Sequence, residues 1–484
     1  MLPFRASTLA HRRPPTQSRA PGATTAAMSS AYAPAVAPRE IPGRGVGLIA
    51  TRDIAAGECV LRERAIVCGT SVAFRDSACA RCLAFTAPDG APLFTCATCG
   101  LAKLCGGDTC AWSGMPHGKV ACHAEGLAKG LPPPDVERLR FLAACADLRG
   151  ENSEASVARL NAVEALCPAV GPNGENVGGR ELDAARRLHP LLETAVARAL
   201  AGSQIAPIAD ADAFDATRRA VAGSVFDAAR LLAKETKNAF GAMAPRDVQS
   251  GERRVRGGAL YDLASRVNHD CFPNVARFDN FDGALEKDAF VLNRADENVA
   301  RDGVARKSLA PDELRLIALD RIPAGAEVTM SYLPVTEPLP RRRRRLRHTF
   351  EFECSCQRCR VEMRWAREDG DRVGDVDEET AVAGGRCFSS SSGASDSFME
   401  TVTNAMDDED DERMAALSNE ELERRSDRVT PEYAVWFMRN VCPVTDCGGT
   451  LAPPNASATH MTCNACGFKR TDDAFYAQLS GEEV

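Results

Sequence analysis

Short runs in which apolar and polar residues alternate occur near the beginning of the chain and return in its second half. Residues 41–68 contain such runs on either side of Gly57, and others follow at 275–278, 314–319 and 327–332. A period of two residues places neighbouring side chains on opposite faces of a β-strand. The pattern therefore predicts strands that come from widely separated parts of the chain, with tight turns between them.

Between these regions the apolar positions change to a helical period. Asp135 follows three prolines and is a candidate N-cap for a first helix, and the spacing predicts a third helix over about 212–237. The apolar faces of the first two helices contain Val136, Leu139, Leu142, Ala146, Leu182, Ala185, Leu188 and Leu192. The middle of the chain is thus predicted to be a helical insert.

The size and composition are those of a globular protein with more than one packed unit. A chain of 484 residues exceeds what one core usually holds, and 44% apolar and 26% charged residues are ordinary values for such proteins. The net charge of −8 gives no general attraction to nucleic acid. No apolar run approaches the ~20 residues that span a bilayer. Membrane and nucleic-acid partners are therefore not expected.

Two stretches have the composition of segments that lie outside packed units. Residues 1–39 contain five arginines and no Asp or Glu, which fits either an organellar transit peptide or a disordered basic extension, with Met28 as an alternative start. Residues 361–430 are acidic and rich in Ser and Gly, which predicts a flexible linker. The compartment stays open between nucleus, cytoplasm and an organelle.

Fourteen of the twenty cysteines lie in three clusters with metal-ligand spacing. The chain shows no secretory hydrophobic segment, and in reducing compartments such clusters bind metal rather than form disulfides. The first region supplies eight ligands, enough for two closed tetrahedral zinc sites: Cys79, Cys82, Cys96, Cys99, Cys105, Cys110, His117 and Cys122. A triplet, Cys354, Cys356 and Cys359, lacks a fourth ligand. The last cluster resembles a zinc ribbon and contains Cys442, Cys447, Cys463 and Cys466.

Four short motifs follow one another along the chain. They are Arg44-Gly45-Val46-Gly47-Leu48, then Asn268-His269-Asp270-Cys271-Phe272-Pro273-Asn274, then Gly325-x-Glu327 with Ser331-Tyr332, and finally the cysteine triplet. In this order they resemble the SET-domain protein lysine methyltransferases. The eight Cys/His positions between the first and second motifs narrow the resemblance to the SET-and-MYND group.

The resemblance implies an α+β fold. Its centre is a β-rich SET domain with a pseudo-knot-like motif, interrupted by a MYND-type zinc finger and a helical insert, and followed by a post-SET zinc site and a C-terminal zinc ribbon. The expected segments are 41–75 and 212–335 for the SET domain, 79–123 for the finger, 124–211 for the insert, 336–360 for the post-SET segment and 431–475 for the ribbon. The five arginines at 341–345 are either a nuclear-import or acidic-partner patch or, as favoured here, the start of a charged helix.

The resemblance also assigns ligands to the metal sites. In the finger, Cys79, Cys82, Cys105 and Cys110 would share one zinc ion, and Cys96, Cys99, His117 and Cys122 the other. The spacing of the last two pairs is irregular for the group, so His123 is an alternative ligand, as His460 is in the ribbon. Cys271 would complete the site of the cysteine triplet. About four structural zinc ions are therefore expected.

The implied activity is transfer of a methyl group from S-adenosylmethionine to a lysine of a histone or another protein. Tyr332 would be catalytic, because its hydroxyl can orient the lysine amine, while an apolar channel keeps the amine neutral. The residues implied to bind the cofactor are Arg44, Gly45, Val46, Gly47, Asn238, Asn268, His269, Tyr332 and Phe352.

Two alternatives belong to other functional classes. A scaffold without turnover could recruit partners through the zinc fingers, and MYND fingers commonly bind proline-containing peptides. Retention of Asn268, His269 and Tyr332 together opposes a scaffold that has lost catalysis. Zinc-dependent nucleic-acid binding is disfavoured by the acidic balance of the chain.

Overall fold

The structure is a computed structural model that describes residues 35–85, 93–105, 117–168, 177–202, 210–244, 253–278, 310–368, 431–445 and 447–480. The chain divides into the units Met1–Pro34 and Ala35–Val484, and the described residues all belong to the second. Residues 1–34 of the expected transit-like extension, most of the acidic linker and the expected ligand Cys110 lie outside the described residues. Residues 36–39, also expected in the extension, belong instead to the first strand of the fold.

The strands that belong to the SET motifs are short and come from both halves of the chain. They are β1 (Val36–Ile41), β2 (Gly45–Ala50), β3 (Cys59–Arg64) and β4 (Val67–Thr70) in the first half. Strands β5 (Leu93–Thr95) and β6 (Lys103–Cys105) form a separate hairpin in the finger. The second half contributes β7 (Phe240–Met243), β8 (Val255–Leu260), β9 (Asn268–His269), β10 (Val275–Phe278), β11 (Glu313–Ala318) and β12 (Glu327–Met330).

The described helices lie mainly between and after these strands. They are α1 (Lys119–Leu127), α2 (Pro133–Glu151), α3 (Glu154–Glu164), α4 (Gly179–Ala201), α5 (Ala211–Ala222) and α6 (Val225–Asn238), followed by α7 (Leu339–Phe350) and α8 (Gln357–Glu368). The C-terminal module, residues 431–480, contains α9 (Pro431–Asn440), β13 (Leu451–Ala452), β14 (His460–Cys463), β15 (Lys469–Thr471) and α10 (Asp472–Ser480). None of the described helices combines the length and apolar composition that crossing a membrane requires.

One sheet brings three of the four sequence motifs together. Its order is β1-β2-β12-β9. Strand β12 runs antiparallel to β2, with Val328 opposite Leu48, and parallel to β9, with Thr329 opposite Asn268. The glycine motif and the Asn-His motif thus flank the strand that leads into Tyr332, although they are more than two hundred residues apart in the chain.

Two further three-stranded sheets complete the β-rich part. Their orders are β10-β11-β3 and β4-β8-β7. Alternate residues of these strands meet in one apolar core, in which Leu48, Ile54 and Leu316 are fully buried. The strands predicted at 275–278, 314–319 and 327–332 correspond to β10, β11 and β12.

The helical part has its own core. Leu139 and Leu142 of α2 pack with Leu188 and Leu192 of α4, and all four are almost completely buried. Val221 of α5 and Leu232 of α6 belong to the same cluster. Residues 211–238, expected with the SET domain, therefore pack with the helical insert.

The third predicted helix is two helices, and the expectation of a single one is wrong. Gly223 separates them with φ +70°, a backbone conformation that glycine adopts without strain. Ser224 then caps α6 in a reciprocal capping box: the Asp227 amide donates to Ser224 Oγ at 3.1 Å, and the Ser224 amide donates to Asp227 Oδ2 at 2.8 Å.

Asp135 is not the N-cap of the first helix. The cap is Pro132, and prolines occupy the first two helical positions, where the missing amide hydrogens leave fewer donors to satisfy. The Asp135 carboxylate instead accepts from Arg187 of α4, with Nη2 to Oδ1 at 3.0 Å. The side chain therefore links two helices of the insert.

The arginine run lies in a helix, α7, as expected. Arg342 is fully buried, and its guanidinium donates to Glu337 O at 2.6 Å and to Glu362 Oε2 at 2.5 Å. Arg345 pairs with Glu337 as well. Much of the positive charge is neutralised within the post-SET segment.

Candidate functional site

Close packing of the glycine motif against β9 and β12 defines the candidate site. A Cβ atom on Gly47 would lie 2.7 Å from Asn268 Nδ2 and 3.1 Å from Glu327 Oε1, so a larger residue would displace these two side chains. Gly45 has φ +69° in the turn that leads into β2. Val46 lies between them and is 39% exposed. The backbone of this motif therefore borders solvent on one side and the Asn-His motif on the other.

Glu327 connects the two predicted polar anchors. Arg44 Nη1 donates to Glu327 Oε2 at 2.8 Å, and Asn268 Nδ2 donates to Glu327 Oε1 at 2.8 Å. Arg44 Nη2 also donates to the carbonyl of His269 at 2.5 Å. Glu327 is a site residue that the sequence analysis noted only as part of a turn, because its partners become visible only when the strands are paired.

Tyr332 is held at both ends. Its hydroxyl donates to Val267 O at 2.8 Å, and its backbone amide donates to His269 Nδ1 at 3.0 Å. Burial raises the pKa of the Tyr332 phenol well above its ordinary value. The phenol therefore stays protonated at physiological pH and acts there as a hydrogen-bonding group.

Aromatic rings surround the Tyr332 ring. The ring centroid of Phe350 lies 4.9 Å away, that of His269 5.1 Å, and that of Phe352 6.4 Å. Phe352, a predicted adenine contact, also lies 5.8 Å from the His269 ring. Phe350 was missed by the sequence analysis, and its place two residues before Phe352 was the available signal. The enclosure excludes water from one side of the phenol.

His269 joins the tyrosine to the cysteine cluster. Because Nδ1 accepts from the Tyr332 amide, the neutral ring carries its proton on Nε2, which lies 3.2 Å from Cys271 Sγ. A ring donor of this kind stabilises a thiolate. His269 therefore contacts both Tyr332 and Cys271.

Asn238 is placed differently from the other predicted cofactor residues. Its side-chain amide donates to Lys234 O at 2.7 Å and to Cys167 O. Both amide hydrogens are thereby used at the end of α6. The backbone carbonyl of Asn238 accepts from Ser265 Oγ at 3.2 Å. The structure thus gives Asn238 a structural contact and does not bring its amide to Asn268.

Asn274, the last residue of the Asn-His motif, locks that motif to β12. Its Nδ2 donates to Glu327 O at 2.8 Å, and its Oδ1 accepts from the Thr329 amide at 2.8 Å. A single side chain thus makes the two bonds that a neighbouring strand would make. The crossing of chain segments at β12 depends on it.

The cysteines gather into four groups whose ligand atoms lie within 4.8 Å of one another. Two tetrahedrally placed sulfurs at the usual zinc–sulfur length are about 3.8 Å apart. The Sγ atom of Cys271 lies 3.6 Å from that of Cys359 and 3.9 Å from that of Cys354, which fits a shared zinc ion. The described groups are Cys79, Cys82 and Cys105; Cys96, Cys99, His117 and Cys122; Cys271, Cys354, Cys356 and Cys359; and Cys442, Cys447, Cys463 and Cys466.

These groups bear on the alternatives left open by the spacing. The groups of the described residues contain neither His123 nor His460. His117 Nε2 lies 3.6 Å from Cys99 Sγ, and Cys96 Sγ lies 3.8 Å from Cys122 Sγ. The donor set of the second finger site is therefore complete without His123.

Comparison with known proteins identifies relatives over most of the chain. The SET domain family profile matches residues 45–333. The histone-lysine N-methyltransferase ASHR2 of Arabidopsis thaliana is 27% identical over 450 residues, which are 90% of this chain and 95% of that protein. The histone-lysine N-methyltransferase SMYD3 of Mus musculus is 25% identical over 321 residues, 66% of this chain and 60% of that protein.

A solved structure of the SET domain of LSMT, bound to lysine and AdoHcy, aligns with 62% of this chain and 49% of that one at 13% identity. Its TM-score of 0.27 is too low to bear on the fold described above.

Proposed function

This chain belongs to the SET domain family, in the SET-and-MYND group of protein lysine methyltransferases, and from that premise we propose which protein lysines it methylates and how. The substrate proposed first is a lysine of a histone, because relatives over 90% and 66% of this chain are named histone-lysine methyltransferases. Lysines of other proteins are the second class. The observation that carries the proposal is the meeting of Arg44, Asn268 and Tyr332 around one strand, β12.

Residues on two sides of β12 suit the cofactor. S-adenosylmethionine supplies a positively charged sulfonium whose methyl group is open to attack by an amine. Arg44 would hold the carboxylate of its methionine end, and the open backbone near Val46 allows close approach. Asn268 would hydrogen-bond polar groups of the same end, while Phe352 offers an aromatic face to the adenine.

Tyr332 would orient the lysine amine. A neutral phenol donates one hydrogen bond and accepts others, and Val267 O lies 2.8 Å from its oxygen. Together the two oxygens can fix the direction of the amine lone pair, and the rings of Phe350 and His269 keep water away. The amine must lose its proton before reaction, which the apolar surroundings favour.

Zinc would be held by the four cysteine groups and would be structural, because a full set of protein ligands leaves no open position. The third group ties the Asn-His motif to the post-SET segment through Cys271. Helix α7 and Phe352 are thereby fixed beside Tyr332.

The finger would also bind a peptide. On its β5-β6 hairpin Phe94 is 59% exposed, and an aromatic face of this kind suits a proline-containing peptide. Fluorescence anisotropy of a labelled proline-rich peptide tests this, with Phe94→Ala expected to weaken binding; equal binding by that variant would exclude Phe94 as the contact.

Calorimetry with S-adenosylmethionine tests the cofactor site. The zinc-loaded chain is expected to bind it, and Arg44→Ala is expected to weaken binding about tenfold, the value of one charge-assisted hydrogen bond. Arg39→Ala, at an exposed position of β1, is the matched control. If the unmodified chain binds no cofactor, the scaffold alternative replaces the enzyme.

A further inference from the structure

The C-terminal module packs directly on the SET strands. Trp436 of α9 is 8% exposed and shares an apolar cluster with Phe278 of β10 and with Ile317 and Leu319 of β11 and its end. Ala452 of β13 belongs to the same cluster. The module and the β-rich part therefore share a core, which a freely moving recruitment arm would not do.

Trp436 reaches the Asn-His motif itself. Its ring centroid lies 4.7 Å from that of Phe272, with the planes at 61°, the edge-to-face arrangement that aromatic pairs prefer. Phe272 directly follows the zinc ligand Cys271. Its amide donates to Asp270 Oδ1 at 2.7 Å, which closes a tight turn. The position of the Phe272 ring is therefore coupled to that of this short, tightly turned segment.

Phe437, the next residue, contacts the other side of the same zinc site. The guanidinium of Arg358 lies over its ring, 4.8 Å from the centroid. Arg358 is 3% exposed and donates to Val335 O at 2.6 Å and to Cys271 O at 3.4 Å. The Phe437 ring therefore covers the Arg358 guanidinium, which joins helix α8 to the Asn-His motif.

The cysteine turn of the module makes a third connection. Asn464, between Cys463 and Cys466, donates from Nδ2 to Arg277 O of β10 at 3.0 Å, and its Oδ1 accepts from the Thr450 amide at 2.8 Å. Asn455 of the module also packs closely over Gly57: a Cβ atom on Gly57 would lie 2.3 Å from the Asn455 carbonyl oxygen.

We propose that the C-terminal module is a brace for the cofactor site, with Trp436 and Phe437 as positioning residues. They hold Phe272 and Arg358 from behind, so that Asn268 and His269 keep their places beside β12. As a role in methyl transfer, this rests on the proposed function. Disruption of the ribbon cysteines would then loosen the cofactor motif.

Hydrogen exchange measures the brace independently of catalysis. The amides of Asp270 and Asn274 donate to carbonyls of β12, and exchange is measured on the zinc-loaded chain. Trp436→Ala is expected to accelerate exchange at residues 268–274 about tenfold, the factor an aromatic pair contributes. Trp436→Phe should restore most of the protection. Met438→Ala, at a 44% exposed position of the same helix, should change nothing.

Helix α4 provides an internal reference against general unfolding, because it lies in the separate helical core. If Trp436→Ala accelerates exchange in α4 as much as in residues 268–274, the chain is generally unfolded, and the same measurement is made on the milder Phe437→Leu variant. Unchanged exchange at 268–274 in Trp436→Ala, or in Phe437→Leu where that variant decides, overturns the brace.

Kinetics separate this inference from the proposed function. With a brace, Trp436→Ala raises KM for S-adenosylmethionine about tenfold and lowers kcat less. Faster exchange at 268–274 in a chain that transfers no methyl group would keep the brace and refute the enzyme. Methyl transfer with unaltered KM in Trp436→Ala would keep the enzyme and refute the brace.

Discussion

At the scale of single residues, the candidate site depends on Glu327 as much as on the residues that would touch the cofactor. Its two carboxylate oxygens accept from Arg44 and Asn268, both at 2.8 Å. Without that carboxylate the guanidinium would lose its ion pair, and the Asn268 amide would be free to rotate. Glu327 therefore sets the direction in which both anchors point.

Replacing Glu327 by Gln should weaken S-adenosylmethionine binding about tenfold, because one charge-assisted hydrogen bond and the ion pair are lost while the shape is kept. Calorimetry measures the affinity. Glu40→Gln, at an exposed site on β1, is the control. Equal affinity for Glu327→Gln and the unmodified chain would show that the Arg44 and Asn268 side chains need no such support.

At the scale of elements, the local residue pattern predicted individual strands and helices but not which strands pair. Residue periodicity predicted β10, β11 and β12 and the helices α2 and α4, since these depend on neighbours in sequence. The helix break at Gly223 was not predicted, although Ser224 and Asp227 have the spacing of a capping box. The bonds of Asn274 and Glu327 with residues more than fifty positions away follow from strand crossing, which no local pattern contains.

The helix α6 carries a buried acid that makes stability depend on pH. In the part of the chain that the structure describes, the buried Glu235 Oε2 has no hydrogen-bond partner, and burial raises the pKa of Glu235 from 4.5 to about 8. Below pH 4.5 both folded and unfolded chains bind the proton. Between the two values only the folded chain keeps it, so stability falls as pH rises through about 8.

The Glu235→Gln variant should remove this dependence, because the amide is neutral throughout. From this group alone, the free energy of unfolding should decrease by about 1.4 kcal/mol per pH unit between the two pKa values. Urea unfolding at fixed zinc concentration over this range measures the difference between variant and unmodified chain. Parallel pH profiles for the two proteins would contradict the raised pKa.

At the scale of the whole molecule, cysteines from distant segments come together in groups that could hold a metal ion. Cys271 joins the cysteine triplet across 83 to 88 positions of sequence. The same neighbourhood receives Trp436 and Phe437 from the C-terminal module. The sequence analysis expected the shared zinc ligand from a family resemblance, whereas the packing of the module appeared only in the structure.

Replacing Cys271 by Ser should lower the zinc content by about one ion, because three thiolates leave the site coordinatively incomplete. Metal analysis of the purified chain measures this, and proteolysis near residues 354–359 should become faster as the post-SET segment loosens. Cys167→Ser changes an exposed thiol outside the described metal groups and serves as the control. Full zinc content in Cys271→Ser would refute the shared site.

If Tyr332 orients the lysine for methyl transfer, the Tyr332→Phe variant should lose that transfer. Transfer of labelled methyl from S-adenosylmethionine to histones is measured alongside cofactor binding, with Tyr476→Phe, at a 52% exposed site, as the control. For Tyr332→Phe we expect unchanged cofactor affinity and a loss of methyl transfer of about a hundredfold or more, the range expected for one positioned catalytic group. Methyl transfer by Tyr332→Phe at the rate of the unmodified chain would contradict this role of Tyr332.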